Sequence, residues 1–138
     1  MTNHYRMVII SSDDISRIDA TKGVIMMDDK KLADLIKKAT PLTETSYYIL
    51  VSLKNPLHGY GVMQKVEELS HGRVQLGPGT LYGALSNLLN LGLIESVGET
   101  GGERRKLYCM TEAGRLIAEH EIKRFEELAR HGRLLMGL

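Results

Sequence analysis

Between residues 77 and 92 the chain runs Gly-Pro-Gly and then sets leucines at 81, 85, 88, 89 and 91 ahead of a glycine at 92. Apolar residues at that spacing predict one buried helical face. Pro78 suits the first helical position and Gly92 a C-terminal stop. Without the leucines, the helix surface is Thr80, Tyr82, Gly83, Ser86, Asn87 and Asn90. Most of these side chains are short and uncharged, and most can both donate and accept hydrogen bonds. A helix laid into the major groove of DNA needs such a face, small enough to approach and polar enough to meet base edges and phosphates. Its first turn directs backbone N–H groups outward, which suits a phosphate. Gly77 and Gly79 permit close approach of the backbone.

The flanks place this helix third in a series. Thr43 can cap a helix over 43–54 that carries Tyr47, Leu50, Val51 and Lys54 on one side and ends at Asn55-Pro56. His58-Gly59 turns into a second helix, with Val62, Met63, Val66 and Leu69 at helical spacing, closed by Ser70-His71-Gly72. After the third helix, 93–97 reads as a strand, 98–103 as a glycine-rich tip and 104–110 as the return strand. Thr111 then caps a long helix reaching about residue 135. The expected fold is mainly α with a small β-hairpin: a winged helix-turn-helix followed by a long C-terminal helix. A further helix, capped by Asp28 or Asp29 and carrying Leu32, Leu35 and Ile36, precedes the series and stops at Thr40-Pro41. The chain divides into an N-terminal extension over 1–27, a DNA-binding domain over 28–111 with its leading helix, and a dimerisation helix over 112–138.

The extension is open to two readings. Its apolar runs at 6–10 and 23–27, separated by a polar turn around Ser11-Ser12-Asp13-Asp14, suit a β-hairpin arm. Alternatively, Lys22-Gly23-Val24 can be encoded by a string containing AAGGAG followed by T. That would be a ribosome-binding sequence, with translation beginning at Met26 or Met27.

With 138 residues and a net charge of only +1, no global basic field announces a nucleic acid. The positive charge must then be local. It is found at Arg104, Arg105 and Lys106, just past the glycine tip, where a wing reaches a phosphate or the minor groove. The DNA-binding residues expected are Gly79, Thr80, Tyr82, Gly83, Ser86 and Asn87 on the third helix, those three wing cations, and Tyr60. Tyr82 either packs or reaches the groove. Tyr60 either orients the second helix or touches DNA. The single cysteine, Cys109, excludes an internal disulfide and a thiolate cluster and reads as a small packed side chain. Five scattered histidines lack metal-ligand spacing. No catalytic constellation can be placed, so neither an enzyme nor a cofactor is expected. No run is apolar enough to span a bilayer and no signal peptide opens the chain, which points to the cytoplasm.

Four ordered blocks give a resemblance. Leu57-His58-Gly59-Tyr60-Gly61-Val62 is similar to the histidine-glycine-tyrosine element of the PadR family of transcriptional regulators. Gly77-Pro78-Gly79-Thr80-Leu81-Tyr82-Gly83-Ala84-Leu85 resembles its proline-to-threonine-leucine-tyrosine element. Gly92-Leu93-Ile94-Glu95 and the block from Arg105 through Thr111-Glu112-Ala113-Gly114 resemble the two later ones. The resemblance covers about residues 42–130. It implies a winged-helix dimer, binding to a double-stranded DNA operator, usually repression, and no catalysis; release by a small-molecule effector is a separate expectation. The tail resembles the short members with one C-terminal helix. Leu107 replaces a usual tyrosine or phenylalanine, and the chain has no tryptophan, whereas members that hold flat aromatic drugs rely on indole stacking.

The final helix carries Leu116, Ile117, Phe125, Leu128 and Leu135, more apolar length than one small winged domain covers. A second copy of the chain is the expected cover, with Ile49, Leu53 or the 32–36 segment as further contacts. A membrane-surface helix fits poorly, because Glu119, Glu121, Glu126 and Glu127 share the polar face with Lys123, Arg124 and Arg130. The competing functional reading is a winged domain used only for protein interaction, which the near-neutral charge allows.

Overall fold

The computed structural model describes residues 5–8, 18–19, 24–100 and 105–138, with side chains considered over 29–98 and 105–138. Near the N-terminus, β1 (Tyr5–Val8), β2 (Ile18–Asp19) and β3 (Val24–Asp28) form an antiparallel sheet in the order β1-β3-β2. Tyr5 pairs with Asp28 and Val8 with Ile25. Both apolar runs of the extension thus contribute to paired strands. The polar turn expected at 11–14 lies outside the described residues.

Helix α1 (Asp29–Ala39) follows directly, with Lys37 and Lys38 in its last turn, where the helix dipole favours cations. It ends one residue before Thr40-Pro41, as the restriction on a residue preceding proline requires. Helix α2 (Glu44–Ser52) starts at Thr43, whose hydroxyl accepts from the Ser46 N–H at 3.1 Å. Strand β4 (Leu57–His58) leads into α3 (Gly59–Leu69), and α4 (Pro78–Asn90) follows. Strands β5 (Ile94–Thr100) and β6 (Arg105–Met110) form the wing, and α5 (Glu112–Met136) completes the chain.

Helix α2 is the centre of the packing, against α3, α4 and α5. Its Ile49, Leu50 and Leu53 are fully buried with Val62, Val66, Leu81, Leu85 and Leu88. Ile49 and Leu53 are therefore core residues and not the surface contacts expected of them. Three neighbouring helices cover more of α2 than a single apolar stripe suggests. Leu69 and Leu89, expected in the core, are 54% and 38% exposed.

Two glycine-containing junctions fix the wing and α5. At the end of α4, Gly92 takes φ 73°, its N–H reaches Leu89 O at 3.0 Å, and the Leu93 N–H reaches Leu88 O at 3.0 Å. This closure satisfies carbonyls that a helix end leaves free. Thr111 then docks the end of β6 on the same corner. Its hydroxyl donates to Gly92 O at 2.7 Å while accepting from the Gly114 N–H at 3.1 Å, and its own N–H reaches Leu93 O at 3.0 Å. A Cβ on Gly114 would stand 2.0 Å from Leu93 O. Only glycine lets the first turn of α5 lie on this backbone.

The proximal part of α5 belongs to the protomer core. Ile117 is fully buried, and Leu116 packs on Leu32 of α1. Leu116, Ile117 and Leu32, expected at a dimer surface, are instead covered within the chain, because α1 and α2 both lie against α5. Glu121, expected on the polar face, is also fully buried. Its carboxylate accepts from the Leu42 N–H and from the Arg124 guanidinium, with Arg124 Nη2 at 3.1 Å. Burial pushes this carboxyl up, but the Arg124 and Leu42 donors outweigh it and hold it below its ordinary value.

Two outcomes are expected. Gly114→Ala should destabilise the chain by about 3 kcal/mol or more, at the upper end of overpacking costs because the obstacle is backbone, read as a lowered thermal midpoint. Glu121→Gln should lower stability at pH 7. The folded carboxyl titrates below the unfolded one, so its contribution is present above an unfolded value of about 4.5 and is lost as pH falls through the folded value. Denaturation curves from pH 7 to pH 3 should show the variant losing less on acidification than the parent chain.

Candidate nucleic-acid interface

The polar face of α4 is open to solvent. Leu81, Leu85 and Leu88 point into the core, while Gly79, Thr80, Tyr82, Gly83, Ser86, Asn87 and Asn90 are exposed. A Cβ placed on Gly77, Gly79 or Gly83 would meet nothing within 4 Å. This surface stands clear of the rest of the described chain. Gly77 caps α4 without a side-chain hydrogen bond, and Pro78 occupies the first turn. The N–H groups of Gly79 and Thr80 therefore begin the helix without a side-chain cap, the condition under which a helix start takes an anion.

The wing sheet has the order β4-β6-β5. Leu57 pairs with Tyr108 and His58 with Leu107. By sequence His58 belongs to a turn, and a two-residue strand such as β4 has no periodicity to display. The pairing fixes the wing to the start of α3. In β5–β6 the register sets Glu99 opposite Lys106 and Thr100 opposite Arg105, with an irregularity between Ser96 and Gly98, where Gly98 adopts φ 132°. Arg105 and Lys106 are exposed. Arg104 and the tip at 101–104 lie outside the described residues.

At the start of α3, His58 serves as the cap, its Nδ1 accepting from the Gly61 N–H at 3.0 Å. Its ring stacks on Tyr60, with centroids 6.5 Å apart and planes 13° from parallel. Tyr60 and Tyr82 are 57% and 54% exposed. A Cβ on Gly59 would lie 3.1 Å from the Tyr82 hydroxyl and 3.2 Å from Leu81, so the glycine lets α4 pass close to the start of α3. Together His58, Gly59, Tyr60, Tyr82, Arg105, Lys106 and Tyr108 line an open groove of about 460 Å³.

The expected residues thus fall into two neighbouring groups. Thr80, Gly83, Ser86 and Asn87 share the α4 face, while Tyr60, Tyr82, Arg105 and Lys106 meet at the groove. Two groove residues are not anticipated from sequence, His58 as a cap and Tyr108 as part of the lining. The signal for Tyr108 is present: Lys106 and Tyr108 are two apart in a strand and share a face. Cys109 is half-buried, and burial followed by the nearby Glu95 carboxylate pushes its thiol up, against formation of a reactive thiolate.

Of the expected dimer contacts on α5, Phe125 is half-buried, edge-on to Tyr47 at 4.9 Å and covered by the Arg124 guanidinium at 4.7 Å. Leu128 is 54% and Leu135 86% exposed. Among the described residues no helix is long and apolar enough to cross a membrane.

Residues 49–120 match the sequence profile of the transcriptional regulator PadR-like family. An uncharacterized 37.1 kDa protein in transposon TN4556 of Streptomyces fradiae is 44% identical over 66 residues, 48% of this chain and 18% of that one. The chain therefore spans under a fifth of that relative. Among solved structures, a PadR family transcriptional regulator from Eggerthella lenta is 25% identical, with TM-score 0.53 over 77% of this chain and 89% of that one. Bacillus subtilis PadR in complex with operator DNA is 24% identical, with TM-score 0.53 over 59% and 48% of the respective chains. With a family match over more than half its length, a winged-helix fold and no enzymatic family character, this chain belongs to the PadR-like family of transcriptional regulators.

Proposed function

We propose that the chain is a cytoplasmic DNA-binding repressor that works as a homodimer, with α4 in the major groove. The observation that carries this reading is the open α4 face, where Thr80, Gly83, Ser86 and Asn87 stand clear of the fold beside a basic wing. A related fold solved on operator DNA supports it. Ser86 and Asn87 are the base-reading candidates. Gly79, Thr80 and Tyr82, nearer the helix start, are candidates for phosphates. Arg104, Arg105 and Lys106 supply attraction to the backbone of any duplex.

Assembly falls to the distal part of α5. Beyond Glu121 the helix continues for fifteen residues to Met136, and Leu128, Leu134, Leu135 and Met136 are exposed. That stripe is the cover for a second copy, which would set two α4 helices about 34 Å apart, one turn of DNA. An effector that releases the operator completes the repressor reading. The cavity of about 350 Å³ lined by Glu44, Tyr47, Tyr48 and Phe125 supports a small ligand with apolar faces.

Affinity for an operator duplex and for random DNA at several salt concentrations tests the division of roles, the operator being taken by footprinting the DNA beside the gene. Ser86→Ala or Asn87→Ala should cost ~1–3 kcal/mol on the operator alone. Neutralising Arg105 should weaken both duplexes alike and reduce the log–log salt slope by ~0.9 for each phosphate it neutralises in the parent complex. Helix variants that kept operator preference would overturn the assignment. A parent chain that bound neither duplex at low salt would favour a protein-interaction module. In light scattering, the double variant Leu128→Glu, Leu135→Glu should be monomeric at a concentration where the parent chain is a dimer. A parent chain that is monomeric even with DNA would remove the dimer.

A further inference from the structure

The groove between α3, α4 and β6 is lined by a tyrosine that is mostly buried while its hydroxyl oxygen stays open to solvent. Tyr108 is 8% exposed and lines the groove. Among the described residues, neither its hydroxyl nor those of Tyr60 and Tyr82 make a hydrogen bond. All three hydroxyls are thus open to a ligand that enters the groove. Burial, and then the neighbouring Tyr82, push the Tyr108 phenol up, so it remains a proton donor at neutral pH. His58 Nδ1 is already engaged as the helix cap, which leaves Nε2 toward other partners. Lys106 adds a charge, and among the described residues no carboxylate lines the groove.

Such a set offers donors and positive charge. A base edge presents donors and acceptors in a fixed pattern, whereas a phosphodiester presents acceptor oxygens alone. We propose that this groove seats one backbone phosphate of a DNA duplex, with the Tyr108 hydroxyl at its floor, the Tyr60 and Tyr82 hydroxyls at its walls, and Lys106 supplying the charge. The seat rests on the DNA-binding reading and adds to it a fixed point between the recognition helix and the wing. The three elements that form it are held together by β4–β6 pairing and by the close passage that Gly59 allows. A phosphate bound there contacts α3, α4 and β6 at once.

The experiment uses the full chain, a labelled duplex of random sequence, and several salt concentrations. Tyr108→Phe removes one hydroxyl and no charge. It should weaken binding by about tenfold or more, as removal of a hydrogen bond to a charged group does, with salt slope and thermal midpoint unchanged. Lys106→Ala should make the slope shallower by ~0.9 per seat. A merely structural Tyr108 would lower the thermal midpoint of the phenylalanine variant and leave affinity intact, and that result overturns the seat. So does a variant that folds and binds like the parent. If Tyr108→Phe folds poorly, Tyr82→Phe, at a half-exposed position, carries the same expectation.

A second arm compares inorganic phosphate with chloride at equal ionic strength. A rise in thermal midpoint that Tyr108→Phe abolishes supports a phosphate seat. Loss of duplex affinity in that variant without any phosphate effect supports a seat that needs the duplex. If the parent chain bound no duplex yet kept the Tyr108-dependent phosphate effect, the DNA source would fall and a phosphorylated small molecule would replace it. If it showed neither, the seat would fall with it.

Discussion

The corner where α4 ends and α5 begins is the constraint on which the rest depends. Gly92 turns the chain out of α4, and Thr111 brings it back after the wing to within hydrogen-bond reach of Gly92 and Leu93. Gly114 then allows α5 to lie directly on the Leu93 carbonyl. The hairpin is thereby closed at its base, and the Met110 N–H adds a bond to Leu53 O at 2.7 Å that ties the base to α2. Wing position, α4 position and α5 direction are one structural fact. A hydroxyl that donates to one carbonyl while accepting from the next helix's N–H cannot be replaced by an apolar residue without leaving both partners unpaired.

Helix α5 carries two environments on one rod of about 37 Å at 1.5 Å per residue. Up to Glu121 it is part of the domain core, and beyond Phe125 it is surface. Glu121 marks the boundary. A buried carboxylate is costly unless fully bonded, and here Leu42 and Arg124 provide the bonds. The contact fixes α5 to the link between α1 and α2, so the distal half leaves the domain in a set direction.

Much of this is legible from periodicity, and the misses have one cause. The leucines at 81, 85 and 88 and the turn chemistry at Gly77-Pro78 and Gly92 are local signals, and local physics determines them. Periodicity identifies an apolar face but not what covers it. Leu116 and Ile117 read as surplus surface because nothing local shows that the helix over 29–39 and the second face of α2 reach them. Ile49 and Leu53 read as free for the same reason. Glu121 looks like one acid among several, since nothing in its neighbourhood along the chain announces a partner 79 residues away. The groove is half visible. Its α4 and wing residues stand out by composition, while β4–β6 pairing joins residues about fifty apart that no short motif connects.

A net charge of +1 leaves little long-range pull toward DNA. The α4 face contains no cation, so it contributes contact without general attraction. Among the described residues of the wing beside it, Arg105 and Lys106 supply positive charge. In the DNA-binding reading, affinity for any duplex is therefore modest and local, and a larger share of the binding free energy must come from close fit. Close fit demands that α4 and the wing keep a fixed relation, because a helix face without charge tolerates little misplacement before its hydrogen bonds fail. That demand accounts for the glycine at 59, for the cap at His58 and for the closed corner at Thr111. Each removes a freedom between the two surfaces that must meet DNA together.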